Sequence, residues 1–372
     1  MNIQWLQVVE YRNYRTLSYT PAPRLNVLSG SNGQGKTNLL EALSLLLAGR
    51  SFRGARAADM VRWNADGARV TGEIRRGPST QTIRREVRRR EDDSWGVTGE
   101  GCAWARVVPF AWQDVAILNG PPLARRNFID GFAAKLAPAH IGVHARYRQI
   151  VERRNHLLQS GAGWRDLAER LAPWDALLAT VGLDLVARRR AAVSALGAEM
   201  EPLYAQLGGR GQVRLEYRSS LGEAPSPETV QEALAQRRGE EMRRGQTLVG
   251  PHRDDLLIEL DGRDARVFGS RGQQRLLALA LRLSEVGPVT AVVGSPPVLV
   301  LDDALSELDP DVQRRVLERV DGQGQVFLTT ADAALPARDA AWWHVDAGAI
   351  EGRATPPTST EVEPLAREAV LA

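Results

Sequence analysis

The chain switches between two hydrophobic periods, and the switches mark its parts. Residues 3–9 and 25–29 read as strands, the second being Leu25-Asn26-Val27-Leu28-Ser29. Residues 36–48 then turn helical, with Leu39, Leu40, Leu43, Leu46 and Leu47 on a helical repeat. Residues 68–90 return to a period of two with charges interleaved, which predicts an antiparallel region. Two longer helical stretches follow. Tyr147, Ile150, Val151, Leu157 and Leu158 share a face over residues 139–158. Leu177, Leu178, Val181, Leu185, Val193, Leu196 and Met200 repeat the pattern over residues 174–201. Gln159-Ser160-Gly161-Ala162-Gly163 breaks the chain between them, so an antiparallel helical hairpin with basic outer faces is expected.

Residues 208–228 carry glycines, a short strand from Val213 to Tyr217 and a Pro-rich turn. The α/β character returns near residue 245. Val298-Leu299-Val300-Leu301 is the continuous apolar run of a buried parallel strand, and residues 325–329 read as the next strand. Residues 351–372 are rich in Pro, Thr, Ser and Glu and read as a disordered tail. The expected fold class is α/β. A head of mixed sheet and helices is built from residues 1–120 and 245–350. A second, helical lobe takes an arm at 121–205 and a connecting segment at 206–244.

Chemistry enters where strand 25–29 feeds helix 36–48. Gly30-Ser31-Asn32-Gly33-Gln34-Gly35-Lys36-Thr37 fits G-x-x-x-x-G-K-[ST], the phosphate-binding loop, in its required strand–loop–helix context. Composition sharpens this. Of 48 basic residues only Lys36 and Lys135 are lysines. An Arg fork is too bulky to fold back into such a loop, whereas a compact ammonium on a thin stem reaches the β- and γ-phosphates. Backbone N–H groups of residues 33–37 and the positive helix end would hold ATP phosphates, and Thr37 would offer its hydroxyl to Mg²⁺. The apolar strand 298–301 ends in Asp302-Asp303. Asp302 is placed to hold Mg²⁺ through water, and Asp303 to orient the attacking water. An Asp pair after a strand is equally a helix N-cap; the phosphate loop favours the catalytic reading.

Ser270-Arg271-Gly272-Gln273 precedes an apolar helix and resembles the ABC signature, standing about thirty residues before Asp302 as in ABC-type ATPases. Asp309, in Ser306-Glu307-Leu308-Asp309, resembles the D-loop. Gln113, after Val107–Trp112, lies where a Q-loop and a Mg²⁺ contact belong. In ABC-type ATPases the signature completes the site of the opposite subunit. The expectation is therefore an ATP-dependent homodimer that sandwiches two ATPs, each between Lys36 of one chain and Ser270 of the other.

These motifs resemble the RecF family of recombination mediators over residues 3–350. The resemblance is carried by Tyr11-Arg12-Asn13-Tyr14, Gly30–Thr37, Arg50-Ser51-Phe52-Arg53, Arg125–Asp130 and Arg153–Leu158. Gly250-Pro251-His252-Arg253-Asp254-Asp255-Leu256 is the most specific stretch. The resemblance implies a cytoplasmic bacterial ATPase of slow turnover that binds double-stranded and gapped DNA. It implies partnership with RecO and RecR, and through them the loading of RecA. It adds Arg12 and Asn13 to the nucleotide contacts. Two departures stand out: Trp112-Gln113-Asp114 replaces the family's frequent Pro-Glu-Asp, and Thr329-Thr330-Ala331 occupies the place of the ABC His switch.

Charge and cysteine narrow the alternatives. The net charge of +3 is only mildly basic, but arginines cluster at 84–85, 88–90, 125–126, 153–154, 188–190, 237–238 and 243–244. Several clusters on one face would form a DNA footprint. Cys102 stands alone, so neither an internal disulfide nor a Cys-x-x-Cys hook is expected, and the arm is too short for a long-armed chromosome-organising ATPase. A transporter subunit carries its signature far closer to the loop lysine than Ser270 lies to Lys36. Met1–Trp5 lacks the basic-then-apolar order of a signal peptide, and no membrane span is expected. A DNA scaffold switched by ATP without hydrolysis remains the alternative to an ATPase.

Overall fold

The computed structural model describes residues 1–160, 164–223, 225–331, 335, 337 and 339–353. Gly161-Ala162-Gly163 of the expected breaker and residues 354–372 of the expected tail lie outside them. In chain order the strands are β1 (Asn2–Tyr11), β2 (Tyr14–Tyr19), β3 (Leu25–Ser29), β4 (Gly67–Arg76), β5 (Ser79–Arg89), β6 (Trp95–Thr98) and β7 (Val107–Phe110). They continue with β8 (Val213–Arg218), β9 (Asp255–Leu260), β10 (Arg263–Asp264), β11 (Val298–Leu301), β12 (Val326–Thr329), β13 (Ala341–Asp346) and β14 (Ala349–Arg353). Strand β14 takes in residues 351–353, which composition alone assigns to the tail.

The chain forms two compact units. The first holds Met1–Gln113 and the chain from Val293 onward; the second is Asp114–Val292. Residues 245–292, expected with the head, therefore belong to the second unit together with the helical arm.

The first unit contains two sheets. One is antiparallel, in the order β2-β1-β4-β5-β6. The other is mixed, in the order β14-β13-β3-β12-β11-β7, and is parallel throughout except for the β13–β14 hairpin. All five residues of β3 and all four of β11 and β12 are buried, which is why they show no alternation; β11 is wholly apolar, while Asn26, Ser29 and Thr329 are buried polar residues of β3 and β12. Helix Lys36–Ala48 is buried along almost its whole length, and its leucines pack with Val8, Val70, Ile74 and Phe327 in one core. Its C-terminus closes on Gly49 in the left-handed conformation, whose N–H donates to the Leu45 carbonyl.

The second unit carries helices Pro122–Leu136, Ala139–Leu158, Trp164–Gln206 and Pro227–Arg244, with a small sheet β10-β9-β8. The helix expected over 174–201 is longer at both ends and runs through Pro173 and Pro202. Tyr147, Ile150, Leu178, Leu185 and Leu234 form the core between the arm helices. The signature segment caps helix Arg271–Leu283, and helix Val286–Val293 follows. Against the expectation of none, Arg271–Val293 is long and apolar enough to cross a membrane by length and composition. However, 61% of its most apolar window is buried, as in the core helix of a soluble protein.

Candidate functional site: a phosphate loop at the carboxyl ends of parallel strands

Strand β3 ends at Ser29, and the loop that follows is held by several neighbours. Gly30 has φ 139°, and a side chain there would meet the Val345 carbonyl oxygen at 2.3 Å. Gly35 has φ 118°, and its Cβ would meet Asn13 Nδ2 at 2.6 Å and the Tyr14 hydroxyl at 2.9 Å. Both glycines are therefore required by conformation and by space. The Tyr14 hydroxyl donates to the Gly35 carbonyl (3.0 Å) and Asn13 Nδ2 to the Gln34 carbonyl (3.0 Å). The Gln34 side chain accepts from the Ala347 N–H (2.7 Å). The loop is thus shaped from outside by the β1–β2 turn and the β13–β14 turn.

Lys36 is folded back over the loop. Its ammonium donates to the Gly30 and Ser31 carbonyls, the latter at 2.9 Å, and only 9% of the residue is exposed. Burial pushes its pKa down, while the carboxylates of Asp303 and Asp302 act in the opposite direction.

Sheet order decides what stands beside it. Going outward from β3, the neighbours are β12, β11 and β7. Their ends bring Thr329, Asp302 and Gln113 to the same edge as the loop, the edge where open α/β sheets bind ligands. Thr37 Oγ1 donates to Asp302 Oδ1 (2.9 Å), and Thr329 Oγ1 donates to the same oxygen (2.8 Å). Thr329 Oγ1 also accepts from the Asp303 N–H (2.8 Å), and the Asp302 N–H donates to the Phe110 carbonyl (2.8 Å). Burial raises the Asp302 pKa, opposed by the hydroxyls of Thr329 and Thr37. Asp303 is exposed, adopts φ 51°, and accepts from Ser306 Oγ (2.9 Å). Gln113 lies three residues past the end of β7, and its side-chain oxygen is buried without a hydrogen-bond partner.

These residues fit a hard divalent cation. Thr37, Asp302 and Gln113 are all oxygen donors, the Gln113 oxygen lacks a partner, and one of them is a carboxylate. Among the described residues no group of three or more His, Cys, Asp or Glu could hold a metal alone. Mg²⁺ is usually held by one or two carboxylates together with substrate phosphates, and Thr37, Asp302 and Gln113 offer one carboxylate and two neutral oxygens to such a set.

Other expected site residues are placed differently. Arg12 directs Nε and Nη2 to the two carboxylate oxygens of fully buried Glu41 (2.7 and 2.8 Å), and Ser51 donates to the same carboxylate (2.5 Å). Its fork therefore ties the β1–β2 turn to the phosphate-loop helix. Ser270 caps its own helix: its hydroxyl accepts from the Gln273 N–H (3.3 Å), and its N–H donates to the Gln273 side chain (2.9 Å). Ser270, Arg271 and Gly272 are exposed, and a Cβ on Gly272 would meet nothing within 4 Å. Asp309 is exposed at the N-cap of helix Pro310–Val320 without a side-chain cap bond. Thr329 is the site residue that sequence reasoning missed: the chain marks it only as standing where the His switch is missing.

The model of the RecF/RecN/SMC N terminal domain matches residues 2–341. The chain belongs to the RecF family. It is 36% identical over 354 residues to the DNA replication and repair protein RecF of Heliobacterium modesticaldum, covering 89% of this chain and 92% of that protein. It is 34% identical over 369 residues to RecF of Geobacter sulfurreducens, covering 96% of this chain and 100% of that one. Among solved structures, the recombination mediator RecF–ATP in the RecFOR pathway superposes with a TM-score of 0.84 at 26% identity, over 95% of this chain and 97% of that one. An Smc head bound to the C-winged helix domain of ScpA shares the fold alone, at a TM-score of 0.54 and 16% identity. The chain thus has the RecF fold, an ABC-ATPase-like mixed sheet with helices, in a family of ATP-binding DNA replication and repair proteins.

Proposed function

We propose that the protein binds Mg·ATP at the Gly30–Thr37 loop, dimerises on it, clamps double-stranded DNA near gaps and stalled forks, and releases the DNA after slow hydrolysis. The observation that carries this reading is the strand-end constellation. Thr37 and Thr329 converge on one oxygen of buried Asp302, while the buried Gln113 oxygen lacks a partner. Lys36 and the loop amides would hold the β- and γ-phosphates. Thr37, Asp302 and Gln113 would hold Mg²⁺, which supplies charge neutralisation of the phosphates. Asp303 would orient the attacking water. An Asp is one methylene shorter than the Glu of many ABC ATPases, which favours slow turnover and a long-lived bound state.

Ser270, Arg271, Gly272 and Gln273 would face the γ-phosphate of a second copy, and Asp309 would line the same dimer face. The exposure of Ser270, Arg271, Gly272 and Asp309 supports this. Asn13, already bonded to the loop, would sit beside the nucleotide, with Arg12 positioning it through Glu41. RecO and RecR are the protein partners that the family relationship points to, RecA the indirect one, and the cytoplasm the place of action.

The test is fluorescence anisotropy of a labelled gapped duplex with the Asp303→Asn protein. Tight binding only with Mg·ATP is expected. Equal binding without nucleotide would refute ATP gating. Turnover by the unaltered protein separates an ATPase from a scaffold switched by ATP alone.

A further inference from the structure

Once the chain folds, its arginine clusters separate into two kinds. On the helices of the second unit each of four clusters turns one arginine inward, Arg125, Arg154, Arg189 and Arg238, while Arg153, Arg237, Arg243 and Arg244 stay exposed. Arg154 is fully buried between Asp175 (2.8 Å) and Glu241 (2.6 Å). Arg189 grips Asp130 with two bonds (2.7 and 2.8 Å), and Arg125 grips Asp255 in the same way (2.6 and 3.0 Å). Arg238 pairs with Asp175 (2.9 Å). These guanidiniums hold the unit together. Removing them would break buried pairs rather than a binding surface.

The clusters on β5 are arranged differently. Strands β4 and β5 alternate strictly. Val70 and Ile74 of β4 and Ile83 and Val87 of β5 are buried against the core, so their neighbours point outward. The register puts Arg69 opposite Glu86, Thr71 opposite Arg84, Glu73 opposite Thr82, Arg75 opposite Thr80 and Gly67 opposite Arg88. Strand β1 continues the surface, with exposed Gln7 opposite Thr71. Four arginines thus share one outward face with two glutamates. Arg84 and Arg88 both pair with the same carboxylate, Glu86, so one negative charge serves two positive ones. Exposed pairs of this kind hold little energy and exchange readily for another anion.

We propose that this outward face of β4 and β5 docks the phosphate backbone of double-stranded nucleic acid, with Arg69, Arg75, Arg84 and Arg88 as its cationic contacts. The inference deepens the proposed DNA clamp and rests on that reading. Residues on one face of a strand repeat about every 6.8 Å, so the arginines span roughly 27 Å of rigid sheet. That is the reach of several phosphates on one DNA strand. Guanidinium and threonine hydroxyl groups contact phosphate without reading bases. Trp5, on the same face, is half-buried, so the surface offers no open stacking platform for unpaired bases and suits duplex over single strand.

The test uses the full chain with Mg·ATP and a labelled, ungapped duplex across a salt series. The variant combines Arg69→Gln, Arg75→Gln and Arg84→Gln. It should bind duplex about ten-fold more weakly, and the log–log salt slope should fall by about three, at roughly 0.9 for each phosphate no longer neutralised. Its Mg·ATP binding should stay unchanged. Unaltered duplex affinity and slope would overturn the surface and leave the face to an acidic protein partner. Failure of the unaltered protein to bind duplex would instead overturn the clamp reading itself. Arginine modification by phenylglyoxal, mapped on the unaltered protein, decides the matter if the variant folds poorly. Duplex should protect Arg69, Arg75 and Arg84, and equal labelling with and without it would refute the proposal.

Discussion

The phosphate loop and the signature segment are both glycine-containing helix starts, yet they are finished to different degrees. Around the loop, Asn13, Tyr14 and Ala347 fix the backbone, and Thr329 and Asp302 complete its edge within the same unit. Around the signature, Ser270 bonds within its own first helical turn, to Gln273 and Gln274, while Val267 and Phe268 stand 62% and 65% exposed beside it. A pre-organised anion site has its donors aimed and its surroundings rigid before the ligand arrives. A capping box on an exposed helix satisfies its own first turn and can open at small cost when a better acceptor is offered. On the proposed function, the first region would hold nucleotide by itself and the second would meet the other copy.

That contrast can be broken at several points. Lys36→Met should have the largest effect, weakening ATP binding by roughly 100-fold or more, because two charge-assisted phosphate contacts vanish. Normal affinity by calorimetry would remove the loop from its role. Asp303→Asn should slow phosphate release by roughly 100-fold while keeping ATP bound and lengthening the life of the dimer in light scattering. Hydrolysis at the ordinary rate would take the water-orienting role from Asp303. Ser270→Arg should abolish the ATP-dependent dimer and leave ATP binding by the monomer untouched. A dimer that still forms would mean the signature segment does not close the second site.

Thr329→Ala should raise the Mg²⁺ needed for ATP binding by roughly ten-fold, since one hydroxyl orders both Asp302 and Asp303. Thr329→Ser should restore it, and an unchanged Mg²⁺ dependence in the Ala variant would make the contact incidental. The smallest effects concern pH. Burial holds the Asp302 pKa above its unfolded value, so the folded, nucleotide-free protein keeps a proton there that the unfolded chain has lost. Stability therefore declines as pH rises through that window, and Asp302→Asn should raise the unfolding midpoint at neutral pH. Burial drives His252 the other way, down to about 4. Its contribution is full above the ordinary histidine range and is lost as pH falls from about 6.5 toward about 4. Acid titration of unfolding should be flatter in His252→Gln, and an unchanged profile would exclude the imidazole as a source of acid lability.

The sequence was most informative where function is encoded locally. Residues 30–37 sit between a strand and a helix whose bounds, 25–29 and 36–48, appear in the fold as the periodicity predicts. The apolar run 298–301 is strand β11, and its following carboxylates stand at the site. Arg12 was less legible, because its buried partner Glu41 lies on a helix that reads only as apolar and its acid carries no motif. The arginine clusters were legible as charge but not as surface. Arg154 and Arg84 look alike in the chain, and one is fully buried while the other is exposed.

What the sequence alone determined is the inventory: a loop that only glycines can form, a lysine where a chain of arginines keeps one, and carboxylates after a buried strand. Tertiary structure decided adjacency. Strand β12 lies between β3 and β11, and that order alone puts Thr329 against Asp302 and brings Gln113, in the turn after β7, to the same edge. Hydrophobic period fixes which residues make a strand and which face is buried, because those depend on neighbours along the chain. The order of strands in a sheet depends on contacts hundreds of residues apart, which no local pattern records.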